Sequence, residues 1–180
     1  MKRIIIALAM LFGLASPAIA AADGPTGILF GADVVYDGLN FSRHTHITQA
    51  PSVLYGADLY AGLQIFNGVS VEGGVTGAWN GSTSAAVGVQ GLFAEATVRV
   101  PLEDWLDLDV VPGITWSVGH LSVPQVGDFH SYAWGYRLGA GPEVTIAPNL
   151  GWRTLVSYQQ NGFTFTTGQV AVSTGLTWHI

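Results

Sequence analysis

The 180-residue chain is 49% hydrophobic and 10% charged, with a formal net charge of −6 and no cysteine. Ordinary soluble domains hold about 25% charged residues, so the composition speaks against a water-bathed domain. It also excludes a basic nucleic-acid-binding surface and a small secreted fold stapled by disulfides.

The chain opens on Met1-Lys2-Arg3, continues through the apolar run from Ile4 to Leu14, and reaches Ala18-Ile19-Ala20. A basic start, an apolar middle and a small-x-small site read as a secretory signal peptide over residues 1–20, cleaved after Ala20. The apolar run falls short of the roughly 20 residues of a spanning helix. Residues 21–180 then form one domain whose only cations are Arg43, Arg99, Arg137 and Arg153, with no lysine. No later stretch is long and apolar enough for a membrane helix. A membrane chain without helices must close its strands into a barrel, because unpaired backbone groups cannot face lipid.

Beyond residue 26 the sequence alternates with period two in segments of about ten residues, divided by Gly, Asn, Pro and Ser clusters. The first strand, Gly27 to Tyr36, sets Ile28, Phe30, Val34 and Tyr36 against Gly31 and Asp33. The second, Val53 to Ile65, sets Tyr55, Leu59 and Leu63 against Asp58, Tyr60 and Gln64, and Asn67-Gly68 makes a tight hairpin turn. The third, Val69 to Trp79, sets Val71 and Val75 against Ser70 and Glu72. The fourth, Gly88 to Val100, sets Leu92, Ala94 and Val98 against Glu95, Thr97 and Arg99, with Val87, Val89 and Gln90 out of phase, as a bulge or a late start would leave them.

The fifth strand, Trp105 to Gly119, sets Leu108, Ile114 and Trp116 against Asp107, Asp109 and Ser117. His120 to His130 is read as a loop. The sixth, Ser131 to Thr145, sets Tyr132, Trp134 and Leu138 against Arg137 and Glu143; the seventh, Leu150 to Gln159, sets Trp152, Val156 and Tyr158 against Arg153 and Ser157; the last, Thr167 to Ile180, sets Val170, Leu176 and Trp178 against Ser173 and Thr177. Pro112 and Pro142 lie inside strands. Proline removes a ladder donor, so a bulge or bend is expected at each. Charged strand residues all fall opposite the apolar row, and Tyr and Trp gather towards both ends. This is the pattern of an eight-stranded antiparallel transmembrane barrel in an up-and-down meander, with two aromatic girdles.

Two stretches carry a family resemblance. Ser173-x-Gly175-x-x-Trp178-x-Ile180 looks like the signal that outer-membrane barrels present to their assembly machinery, although the bacterial form usually ends in Phe or Trp where this chain has Ile180. Gly135 to Arg153, with Gly139-Ala-Gly141 and Pro148-Asn149-Leu150, resembles the late hairpin of the OmpA-like outer-membrane β-barrel family. The resemblance implies an eight-stranded barrel with short periplasmic turns and the barrel-assembly machinery as a partner during biogenesis; no peptidoglycan-binding domain is expected after the last strand.

Ten charged residues are expected to form a network in the lumen. Glu72, Arg99, Asp107, Glu143 and Arg153 fall in its lower part, Asp33, Asp58, Glu95 and Arg137 nearer the middle, and Asp109 on the same face. An eight-stranded barrel is just wide enough to be filled by side chains, so the network reads as a structural plug, with a narrow channel for small solutes as the alternative. His44, His46, His120 and His130 belong to connecting segments and read as solvated, not as a metal site. His130-Ser131 stands at the level where a lipid-A-modifying enzyme would place its Ser and His, but neighbours on a strand point to opposite faces, and no G-x-S-x-G is present. The expectation is a monomeric, non-enzymatic outer-membrane barrel, exported through its signal peptide and without a cofactor, in contact with outer-membrane lipid and lipopolysaccharide. It would serve envelope integrity or surface interaction.

Overall fold

The computed structural model describes residues 27–41, 51–82, 85–124, 127–163 and 166–180. The signal-peptide reading of residues 1–20, and His44 and His46, lie outside them. The described chain forms eight strands: β1 (Ile28–Phe41), β2 (Val53–Phe66), β3 (Val69–Gly81), β4 (Ala86–Glu103), β5 (Leu106–Val123), β6 (Gly127–Ala147), β7 (Leu150–Asn161) and β8 (Thr166–His179). Each pairs antiparallel with the next, and β1 pairs with β8, which closes the barrel. Closure leaves no edge, so every strand has a hydrogen-bonding neighbour on both sides.

One end carries two-residue turns: Asn67-Gly68, Asp104-Trp105 and Pro148-Asn149. Gly68 has φ +77°, a left-handed geometry that favours glycine. The first and last strands meet at this end through Ile28 N–H to Ile180 O at 3.0 Å and Ile180 N–H to Ile28 O at 2.8 Å. This is the turn end; the opposite one is the loop end.

The strands run further than alternation alone indicates, mostly towards the loop end. Pairing of β5 with β6 is unbroken from Leu106↔Val144 to Val123↔Gly127. The expected loop from His120 to His130 is therefore a long hairpin in which these two histidines are cross-strand partners. Towards the loop end the inward positions, Leu39 and Leu121 among them, are apolar as well, so alternation fades while backbone pairing continues. For the same reason Asp37 to Phe41 belongs to β1 and Asn161 to β7.

No bulge is inserted at the three places where one was expected. Val87 and Val89 sit in an unshifted register with β3, paired with Asn80 and Ala78. Their phase differs because both point inward, where the lumen itself is apolar. Pro112 and Pro142 insert no extra residue. Pairing lapses for two residues on the β4 side of Pro112 and on the β7 side of Pro142, then resumes in the same register. On the opposite side each proline stays within the unbroken β5–β6 ladder. The missing N–H is thus confined to one side, which removes the need for a bulge.

The two faces of the sheet differ sharply. Val34, Leu59, Leu92, Ile114, Leu138 and Val156 are exposed on the outside, flanked by Tyr36, Tyr55, Trp79, Tyr132 and Trp134 towards the loop end and by Trp105, Trp152 and Trp178 towards the turn end. Tyr36 packs edge-on against Tyr55 at 5.5 Å, and Trp116 stacks on Tyr132 at 6.4 Å. Leu138 is 53% exposed, whereas its neighbour Arg137 is 7% exposed. An apolar band between aromatic girdles, with charge turned inward, is the arrangement hydrocarbon requires.

Inward glycines make room for the few large side chains of the lumen. A Cβ at Gly31 would collide with the Tyr60 ring, and one at Gly74 with the Phe93 ring. Both glycines are direct cross-strand partners of the ring they accommodate.

Candidate functional site

The lumen concentrates the polar chemistry of the described chain, arranged in tiers from the turn end upward. In the lowest tier Arg99 on β4 holds Asp109 on β5 with two bonds, Nε to Oδ1 at 3.0 Å and Nη2 to Oδ2 at 3.1 Å. The same guanidinium reaches Glu143 Oε2 on β6 at 2.5 Å and lies 3.7 Å from Asp107. Glu143 in turn contacts His179 Nε2 on β8 at 3.0 Å. Five side chains from four strands are thus tied together, and solvent reaches the group from the turn end, where Arg99, Asp107 and His179 are partly exposed.

Above it, Arg153 on β7 crosses the bore. Its cross-strand partner on β6 is Glu143, yet its guanidinium donates to Glu72 Oε2 on β3 at 3.0 Å and lies 3.9 Å from Asp33 on β1. It also stands over the Tyr60 ring, 4.3 Å from the centroid. Glu72 accepts further bonds from Ser70 at 2.9 Å and Thr97 at 2.5 Å. The Tyr60 hydroxyl bonds Thr177 Oγ1 at 2.9 Å and donates to Asp33 at 3.4 Å. Arg153 and Glu72 are each 2% exposed, so the ion pair is strengthened by its dry surroundings and would be costly to break.

The next tier belongs to Arg137 on β6. It donates to Asp58 Oδ2 on β2 at 3.1 Å, lies 3.7 Å from Glu95 on β4, and places its guanidinium 5.2 Å from the Phe93 ring centroid. Each of these two upper arginines therefore combines carboxylates with an aromatic face, a geometry suited to a planar cation. All ten charged residues singled out in the sequence line this bore, and the structure joins them into groups around the three arginines.

Sequence reasoning missed the layers above Arg137. Asp37 on β1 accepts from Gln169 at 3.0 Å, Gln169 accepts from Asn161 at 3.1 Å, and Asn161 accepts from Gln159 at 2.6 Å, forming an acid–amide chain across β8 and β7. Clear alternation in β1 stops at Tyr36, which hides Asp37.

Closest to the loop end, the lumen turns apolar. Leu39, Leu54, Ala78, Val87, Val89, Leu121, Ala133 and Phe163 form one buried cluster, with Phe41 and Val123 packed against it. These residues come from β1 to β6 and from the segment following β7, so the cluster spans the bore from wall to wall. The out-of-phase Val87 and Val89 were the available signal.

The remaining expected features separate. Ser173 and Gly175 of the terminal motif face inward, with Gly175 lying against Asp33, while Trp178 and Ile180 face outward. His120 and His130 stack at 4.6 Å on the outer face of the β5–β6 hairpin, with His120 3.9 Å from Asp128. Among the described residues no group of three or more His, Cys, Asp or Glu side chains is arranged to hold a metal ion. Ser131 faces away from His130, as strand parity dictates.

Comparison with solved structures assigns the architecture. Neisserial surface protein A superposes with a TM-score of 0.71 at 15% identity, covering 84% of this chain and 96% of that one. The chain has the fold of the small outer-membrane barrels. A major outer membrane protein of Thermus thermophilus gives a TM-score of 0.61 at 12% identity, covering 87% and 100%, and Ail, the attachment invasion locus protein of Yersinia pestis, gives 0.53 at 14%, covering 85% and 97%. No family model and no curated protein sequence matches the chain. The resemblance to OmpA-like barrels thus holds in the eight-stranded meander.

Proposed function

We propose that the protein is an integral outer-membrane barrel whose lumen is a structural plug, and that it acts non-enzymatically in envelope integrity or surface contact. The carrying observation is Arg153, which spans the bore to Glu72 while almost fully buried. A cation so held by carboxylates and an aromatic ring occupies the space a solute would need. Residues 1–20 serve as a signal peptide removed on export, Ser173, Gly175, Trp178 and Ile180 address the chain to the barrel-assembly machinery, and the apolar band meets outer-membrane lipid and lipopolysaccharide as a monomer.

Surface contact falls to the loop end. One Ail structure is a complex with the heparin analogue sucrose octasulfate. Sulfated glycans are a poor match for the described surface here, because Arg99, Arg137 and Arg153 all point inward.

The test is cell fractionation with planar-bilayer recording of the purified chain. A heat-modifiable band in the outer-membrane fraction, a mass lacking residues 1–20 and electrically silent bilayers support the reading. A periplasmic soluble protein, or discrete conductance steps from the unmodified barrel, ends it.

A further inference from the structure

The fold gives His120 and His130 a relation that their spacing in the chain does not. They are direct partners across β5 and β6, and their rings stack with centroids 4.6 Å apart at an interplanar angle of 22°. The register that opposes them is firm, because β5–β6 pairing is continuous from Leu106↔Val144 to Val123↔Gly127. On the outer face they are the next pair beyond Val118 and Tyr132, just past the loop-end girdle. Space around the pair is open. The β4 partner of His120 is Gly88, which has no side chain. Pairing of β6 with β7 starts only at Gly135, so among the described residues no strand pairs with β6 beside His130.

Neutral imidazole suits divalent ions of the zinc, copper and nickel kind. Opposed positions in an antiparallel pair hold their Cβ atoms about 4.5–5.5 Å apart, which keeps both rings within reach of one ion. Two imidazoles bound to one ion through bonds of about 2.1 Å, roughly 90–110° apart, have ring centroids about 4.5–5 Å from each other. The observed 4.6 Å falls within that range. Chelation therefore asks the two rings to rotate out of their stack and leaves the strands where they are. Among the described residues the one ion-pair contact of these rings is with a carboxylate: Asp128 Oδ1 lies 3.9 Å from His120 Nε2. A carboxylate beside a histidine steadies the ring and makes its other nitrogen a stronger donor. Arg99, Arg137 and Arg153 are turned into the lumen, so their charge does not oppose a cation here.

We propose that His120 and His130 form a two-histidine site for a divalent zinc, copper or nickel ion on the outer face of the β5–β6 hairpin. Asp128 faces His120 Nε2 and leaves Nδ1 of that ring to the ion. Two protein nitrogens make an open, exchangeable site in which water fills the remaining positions, unlike the closed four-ligand cage of a structural zinc. The ion ties β5 to β6 beyond the aromatic girdle. The site stands on the hairpin alone and is independent of whether the lumen conducts.

The experiment titrates the full mature barrel in detergent with zinc by calorimetry and records the electron paramagnetic resonance of the same protein with copper. Heat-modifiable migration confirms the folding of each variant. One equivalent of zinc should bind at micromolar concentration, and the copper spectrum should show splitting from two nitrogens. His120→Ala or His130→Ala should abolish that equivalent, with His120→Gln and His130→Gln as the test if an alanine variant does not fold. The paired variant His44→Ala with His46→Ala, and separately His179→Ala, should retain it. Asp128→Asn should weaken zinc binding about tenfold and leave the two-nitrogen copper spectrum in place. No zinc equivalent on the parent, or one that survives in folded His120 and His130 variants, would overturn the site and leave a stacked pair of solvated rings. Loss of the equivalent in the His44–His46 or the His179 variant would equally overturn its assignment to these two residues. Unchanged affinity in Asp128→Asn would overturn the part given to Asp128.

Discussion

Arg153 and Glu72 meet at 3.0 Å although 81 residues separate them in the chain. The contact joins β7 to β3 across the bore and exists only when the sheet is closed. Replacing Glu72 by Ala leaves a buried guanidinium short of its main partner and strips Ser70 and Thr97 of their acceptor, a change expected to cost about 3–5 kcal/mol. Urea unfolding in lipid vesicles measures it. The double variant Glu72→Leu with Arg153→Met should lose less than the sum of the single changes, and strict additivity would refute the coupling.

Gly31 and Tyr60 face each other on β1 and β2, and the ring occupies the space above the glycine. Gly31→Val is expected to destabilise by about 1–3 kcal/mol or more through overpacking. The penalty should shrink in a Tyr60→Ala background, where the obstructing ring is gone. Equal penalties in both backgrounds would mean that the ring is not the obstacle.

Leu138 points outward near the middle of β6, and Ile146 points outward at its turn end. If hydrocarbon surrounds the barrel, Leu138→Arg costs about 2–4 kcal/mol and Ile146→Arg about 0–1 kcal/mol. Unfolding titrations in vesicles compare the two. Equal costs would contradict a membrane-facing exterior.

Pro112 interrupts the β4–β5 ladder without shifting it. Pro112→Ala supplies an N–H towards the lapse and is expected to leave stability unchanged or raise it by about 0.5–1.5 kcal/mol. Hydrogen exchange should then show a protected amide at position 112. Rapid exchange there, together with lost stability, would indicate that the proline shapes the wall.

The positions of the charged side chains were legible because strand parity is a local property: Asp33, Glu95, Arg99 and Arg137 each stand one residue out of step with an apolar row. The apolar cluster at the loop end was only partly legible. Assigning Asp37 and His120 to loops ended the strands before parity could be carried to Leu39 and Leu121, whereas Leu54 already stood on the inward side of the second strand. Val87 and Val89 did break the pattern, but one strand cannot show whether a phase change marks a bulge or a lumen that has turned greasy.

Sequence alone determined the eight-stranded meander and which face of each strand carries charge, because alternation of side chains and turn chemistry act over a few residues. Tertiary structure decided which carboxylates share each arginine and where the bore turns apolar. Those depend on the stagger of strands in a closed cylinder, which sets side chains distant in the chain at the same height.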